Sequence, residues 1–128
     1  MNRNAACLLV NYRKIHNDFM MMKPEDEEYE IAKRYVDTMN EYLKSLEHIP
    51  LPQTGFLEKS KLTTKQIRLL YLDVLTLSYF SENHRPAEEI AGFLRKKYGL
   101  NINAPKLSKI KSYAVDYFAL VLPENKHN

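Results

Sequence analysis

The chain has no tryptophan, one cysteine and three glycines in 128 residues, and each shortage narrows what it can be. A lone Cys7 cannot close an intramolecular disulfide, and the start of the chain shows no charged-then-apolar leader, so a reducing, cytoplasmic compartment is the expectation. So few glycines argue against a β-rich domain with many tight turns. No apolar run approaches the roughly 20 residues that a membrane-spanning helix needs. The four histidines, His16, His48, His84 and His127, are scattered, and none lies three or four residues from another or from Cys7, so no metal site is expected. A glycine-rich phosphate loop, a nucleophile elbow and a distinctive carboxylate pair are all missing. Neither catalytic residues nor a cofactor is therefore expected, and the reading is a non-enzyme.

What the chain does have is apolar matter at helical spacing: 45% of it is hydrophobic, with nine tyrosines and five phenylalanines, enough for one packed domain. The periodicity predicts an all-α protein, an N-terminal helical hairpin over 1–47, a linker over 48–62 and a trihelical helix-turn-helix unit over 63–128. The first helix runs from about Asn4 to Lys23 with Leu8, Tyr12, Ile15, Phe19 and Met22 on one face. Cys7 reads as a buried, inert thiol and Met20-Met21-Met22 as flexible core filling. Pro24 is expected to open the second helix, with Glu25, Asp26, Glu27 and Glu28 at the positive end of its dipole. Ala32, Tyr35, Val36, Met39, Leu43 and Leu46 continue as a buried stripe until Ile49-Pro50-Leu51-Pro52 forces extended backbone. Pro50, Pro52 and Gly55 mark the linker.

Thr63 or Thr64 caps the third helix. Its series Ile67, Leu70, Tyr71, Val74, Leu75, Ser78 and Phe80 is apolar on more than one face, which predicts the central, most buried helix. The fourth, Pro86 to Tyr98, carries Glu88 and Glu89 in its first turn, buries Ile90, Ala91 and Leu94, and stops at Gly99. The fifth, from Ala104 to Val121 with Pro105 in its first turn, turns Leu107, Ile110, Ala114, Phe118 and Val121 inward. Ala119 to Leu122 also tolerates a strand, as a short wing.

Charge is unevenly spread. Residues 1–56 hold seven Lys/Arg against nine Asp/Glu, and residues 57–128 hold twelve against seven. Between Glu89 and Asp116 there is no acidic residue, while Arg95, Lys96, Lys97, Lys106, Lys109 and Lys111 all fall there, a stretch attractive to a polyanion. With Leu107, Ile110 and Ala114 inward, Lys106, Lys109, Ser112 and Tyr113 face mostly outward, and Ser108 and Lys111 lie at the flanks. Lysine reaches phosphates or guanine acceptors, and Ser and Tyr hydrogen-bond backbone oxygens, so these residues with Arg95, Lys96 and Lys97 form the candidate DNA-binding set. Asn101 and Asn103, just ahead, either stabilise the turn or contact DNA.

Glu88-Glu89-Ile90-Ala91 followed by Leu107-Ser108-Lys109-Ile110-Lys111-Ser112-Tyr113-Ala114 resembles the pattern of sigma-factor region 4-like domains. With Asn11-Tyr12-Arg13-Lys14 in the first helix and an acidic second helix, the layout is similar to the ArpU family of small phage transcription regulators. That resemblance implies a cytoplasmic, phage- or prophage-encoded protein that binds promoter DNA and controls late genes. Arg95-Lys96-Lys97-Tyr98-Gly99 lengthens the fourth helix relative to compact sigma-like units. In this the turn resembles the DNA-binding domain of arginine repressors, although no arginine-binding β-domain follows. The partners expected are double-stranded DNA, a second copy through the N-terminal helices, and RNA polymerase or a host protein. The alternative is a helical adaptor or inhibitor that docks on a host protein through the same helices.

Overall fold

The computed structural model describes residues 1–52 and 59–123. Gly55, placed in the linker above, and His127 lie outside the described residues. The architecture is all-α, a helical hairpin followed by a helix-turn-helix-like trihelical unit: α1 (Arg3–Met20), α2 (Tyr29–Ser45), α3 (Thr64–Leu75, continued by a π-helical turn Thr76–Phe80), α4 (Ala87–Tyr98) and α5 (Ala104–Ala119). There is no strand among the described residues.

Local chemistry sets most helix ends. Asn2 caps α1 by accepting from Ala5 N at 3.0 Å. Of the two threonines, Thr63 is the cap of α3, in a full capping box with Gln66: Gln66 N donates to Thr63 Oγ1 and Thr63 N to Gln66 Oε1, satisfying two otherwise orphaned backbone donors. Gly99 ends α4 at φ +66°, a left-handed conformation that a Cβ would strain. The second helix starts later than its acidic run predicts. Residues 24–28 form turns, in which Lys23 N donates to Asp26 Oδ2 at 2.8 Å and Asp26 N to Lys23 O. The carboxylate thus closes a local turn instead of facing a helix dipole, a familiar competition between Asp side chains and helix.

The core is continuous across both parts of the chain. Ala5, Leu9 and Tyr12 of α1, Val36 and Met39 of α2, and Leu46 join Leu70, Tyr71, Val74, Leu94, Ile110 and Phe118 in one cluster. On α1 the deepest residues are Ala5, Leu9 and Tyr12, with Leu8, Ile15 and Phe19 packed at its margin, because the helix meets α5 and the π-turn as well as α2. Two expectations fail here. Cys7 is exposed, pointing away from the rotated stripe, and Met20 and Met21 project into solvent, Met21 at 86%, since α1 ends at Met20 before a partner helix can cover them.

The central position also differs from expectation. The carboxy-terminal half of α5 is buried on nearly every side (Ala114, Val115, Tyr117, Phe118 and Ala119), and the helix as a whole packs on α3, α1 and α4. α3 is its most extensive neighbour and shares the centre with it. Tyr117 explains the arrangement. Its hydroxyl lies 2.7 Å from Leu46 O and 2.6 Å from Ile49 O and accepts from Arg68 Nε at 3.2 Å, so α5 anchors the end of α2 and the start of the connection. After Ala119 the chain continues in tight turns, with Leu120 N, Val121 N and Leu122 N donating to Tyr117, Phe118 and Ala119 carbonyls. No wing strand forms in this stretch.

Candidate nucleic-acid interface

Burial divides α5 lengthwise. Its last turns are core, and its first half presents an exposed ridge of Pro105, Ser108 and Lys109, with Ser112 half-buried behind them. Asn103 begins the helix, its Oδ1 accepting from Lys106 N at 2.9 Å, which is turn chemistry of the kind that fixes where a helix starts. The only carboxylate on the helix, Asp116, sits at the far end and accepts from Asn2 N at 2.6 Å. The ridge itself therefore carries no negative charge.

Along one flank of the ridge runs an open groove of about 880 Å³. Lys106, Lys109 and Tyr113 of α5 form one wall, and Tyr98, Gly99, Leu100 and Asn101 of the turn form its floor. The opposite wall comes from Lys59, Ser60, Lys61 and Leu62 with Gln66. Four lysines thus face one concavity, and among the described residues no carboxylate lines it. Nothing in the sequence pattern marks Lys59 and Lys61, because they belong to the connection, some 45 residues from α5, and only the docking of α3 against α5 brings them alongside. The acid-free wall is legible in the sequence, and its partner across the fold is not.

The rest of the predicted set is dispersed. Arg95 is a strut: Nη1 donates to Ile102 O at 2.6 Å and Nη2 to Glu88 Oε1 at 2.7 Å, which ties α4 to the turn before α5. Lys97 bridges to Asp73 of α3 at 2.7 Å, over the rings of Phe93 and Tyr98. Tyr98 donates to the same Asp73 oxygen at 2.5 Å, and burial first, then that hydrogen bond and the carboxylate's charge, raise its phenol pKa. Lys96 is exposed on α4, away from the groove. Lys111 lies on the other flank of the ridge, half-buried, with Nζ 5.0 Å from the Tyr79 ring centroid. Burial lowers its pKa, and Arg13 nearby lowers it further. The helix-turn-helix pair thus gathers Lys106, Ser108, Lys109, Ser112 and Tyr113, and holds Arg95 and Lys97 in its framework.

No group of three His, Cys, Asp or Glu stands together among the described residues, and no helix among them is long and apolar enough to cross a membrane. No family model, curated protein or solved structure matches the chain, so the ArpU resemblance rests on the residues quoted for it alone.

Proposed function

We propose that this protein is a small, non-enzymatic, cytoplasmic DNA-binding regulator of transcription, which contacts duplex DNA with the first half of α5 and the lysine groove beside it. The observation that carries this reading is the concavity of Lys59, Lys61, Lys106 and Lys109, with no carboxylate among the described residues that line it, beside the exposed ridge on the second helix of the helix-turn-helix-like pair. The four lysines line one concavity, and a phosphate backbone laid along it would be drawn by their charge. An α-helix fits the major groove of B-DNA, where Ser108 and Ser112 would meet base edges while the groove lysines meet phosphates. The phage or mobile-element origin and the promoter target come from the ArpU resemblance.

A second copy is the expected route to adequate affinity, since single small units rarely bind an operator tightly. The hairpin supplies the surface: Ile31 is 74% exposed and lines a shallow apolar groove with Leu8 and Tyr35. That exposed apolar site is also what favours the second reading, a helical adaptor docking on RNA polymerase or a host protein.

Fluorescence anisotropy of the protein on a random-sequence duplex at several salt concentrations separates the two. DNA binding through four lysines gives a slope of log affinity against log salt of roughly −3 to −4, and Lys59→Glu with Lys109→Glu abolishes it. Absence of binding at low salt would transfer the function to a protein partner.

A further inference from the structure

A second basic groove lies on the opposite flank of α5. It is about 420 Å³ in volume, and Arg13, His84, Arg85 and Lys111 line it together with Ser78 and Ser108. These four basic side chains come from three separate parts of the chain: α1, the connection before α4, and α5. As in the first groove, no carboxylate is among the described residues that line it.

The two grooves stand in a definite relation. At 3.6 residues per turn, the α5 residues lining the first (Lys106, Lys109, Tyr113) and those lining the second (Ala104, Leu107, Ser108, Lys111) are centred about 180° apart around the helix. The exposed ridge runs between them. A helix is about 10–12 Å across and the major groove of B-DNA about 12 Å wide, so a helix inserted there has one phosphate strand at each flank.

We propose that α5 is gripped from both sides: with DNA bound as proposed above, the lysine groove takes the phosphates of one strand, and the Arg13–Arg85–Lys111 groove those of the other. The proposal rests on the DNA-binding reading and extends it, because it makes α1 of the hairpin part of the nucleic-acid surface. Arg13 is braced for that position. Its Nε donates to Ser81 O at 3.0 Å and its Nη2 to Ser78 O at 2.9 Å, so the guanidinium is held at the groove wall by carbonyls at the end of the π-turn. Lys111 is held by the Tyr79 ring, and the folded chain keeps it near Arg13 against their mutual repulsion, an arrangement that a bound polyanion stabilises. Arg85 makes one i,i+4 pair with Glu89, at 3.0 Å on the surface, which is weak enough to exchange for phosphate.

The test is the salt dependence of anisotropy binding to a random 20-base-pair duplex and to a single strand of the same length, with melting curves to verify folding. Removing one cation that neutralises a phosphate lowers the magnitude of the duplex slope by about 0.9. Arg85→Ala/Lys111→Gln is expected to lower it by about 2, Lys59→Ala/Lys61→Ala by about 2, and the fourfold variant by about 4, with the duplex bound more tightly than the single strand. Arg85→Ala alone, at an exposed site that does not endanger folding, is expected to lower the slope by about 1. If the duplex binds and the lysine pair matters while the Arg85 variants leave the slope unchanged, or if duplex and single strand bind equally, the two-sided grip is overturned and one-sided DNA binding stands. If the wild-type protein does not bind duplex at low salt, the DNA-binding reading falls as well.

Discussion

Among the described residues, five of the large apolar side chains that reach solvent, Met1, Val10, Met20, Met21 and Ile31, lie in the first 31 residues. The first two turns of α5 expose instead Ser108 and Lys109, with Lys106 and Lys111 half-exposed at their sides. Both regions belong to amphipathic helices of one core. The difference lies in what each helix leaves on its outer face: the hairpin leaves apolar side chains in solvent, and the first half of α5 leaves serine and lysine there.

Both regions share one core cluster, and Phe118 tests whether they melt together. Fully buried on α5 and in edge-on contact with Tyr42 of α2, it is expected to cost about 3–5 kcal/mol on truncation to alanine. Calorimetry should show hairpin and trihelical unit still melting in one transition, and two separate transitions would show that each region stands alone. Tyr117→Phe tests the same link more gently. Removing the hydroxyl takes one donor from Leu46 O and Ile49 O, which keep Ile49 N and Arg68 Nη2 as partners, at a cost of about 1 kcal/mol in urea unfolding.

Two smaller changes sharpen the contrast between the faces. Asn103→Ala removes the cap of α5, costs about 1 kcal/mol in the same urea assay, and should weaken DNA binding by fraying the turn that carries Lys106. Ile31→Glu should alter stability by less than about 0.5 kcal/mol and leave the salt slope of DNA binding unchanged. If the hairpin pairs two copies, light scattering will show that variant shifted toward monomer.

The smallest expected effect is alkaline. Tyr35 donates to Leu8 O across the hairpin, and burial first, then the neighbouring Tyr12 and Cys7, push its phenol up to about 12 from 10.0. The unfolded chain ionises this group at lower pH than the folded one, so its stabilisation is complete below pH 10 and is lost as pH rises toward about 12. Tyr35→Phe should flatten the fall in Tm over that window relative to the wild type, and the difference between the two curves cancels the opposite contribution of Lys111, whose pKa is lowered.

Much of the fold was legible because it is written in local chemistry. The stripe of Ala32, Val36 and Met39, the Thr63 cap, the Gly99 stop and the Asn103-Ala104-Pro105 start each depend on residues within one or two turns of each other. Where a short-range competitor intervened, as Asp26 does at the start of α2, the boundary moved. The candidate site was legible only in half. The acid-free basic stretch from Arg95 to Lys111 is a property of the sequence, but whether each of its charges meets solvent, a carbonyl or a carboxylate depends on neighbours distant in the chain.

By itself, then, the sequence determined an all-helical chain, the approximate ends of its helices and a surplus of positive charge in its second half, because periodicity, capping and composition act over a few residues. Tertiary structure alone decided that Arg95 and Lys97 are engaged by Glu88, Ile102 and Asp73, that Cys7 faces outward, and that Lys59, Lys61, Arg13 and Arg85 flank α5. Those outcomes follow from how α5 packs between α1, α3 and α4, and a packing geometry is a sum over contacts far apart in the chain.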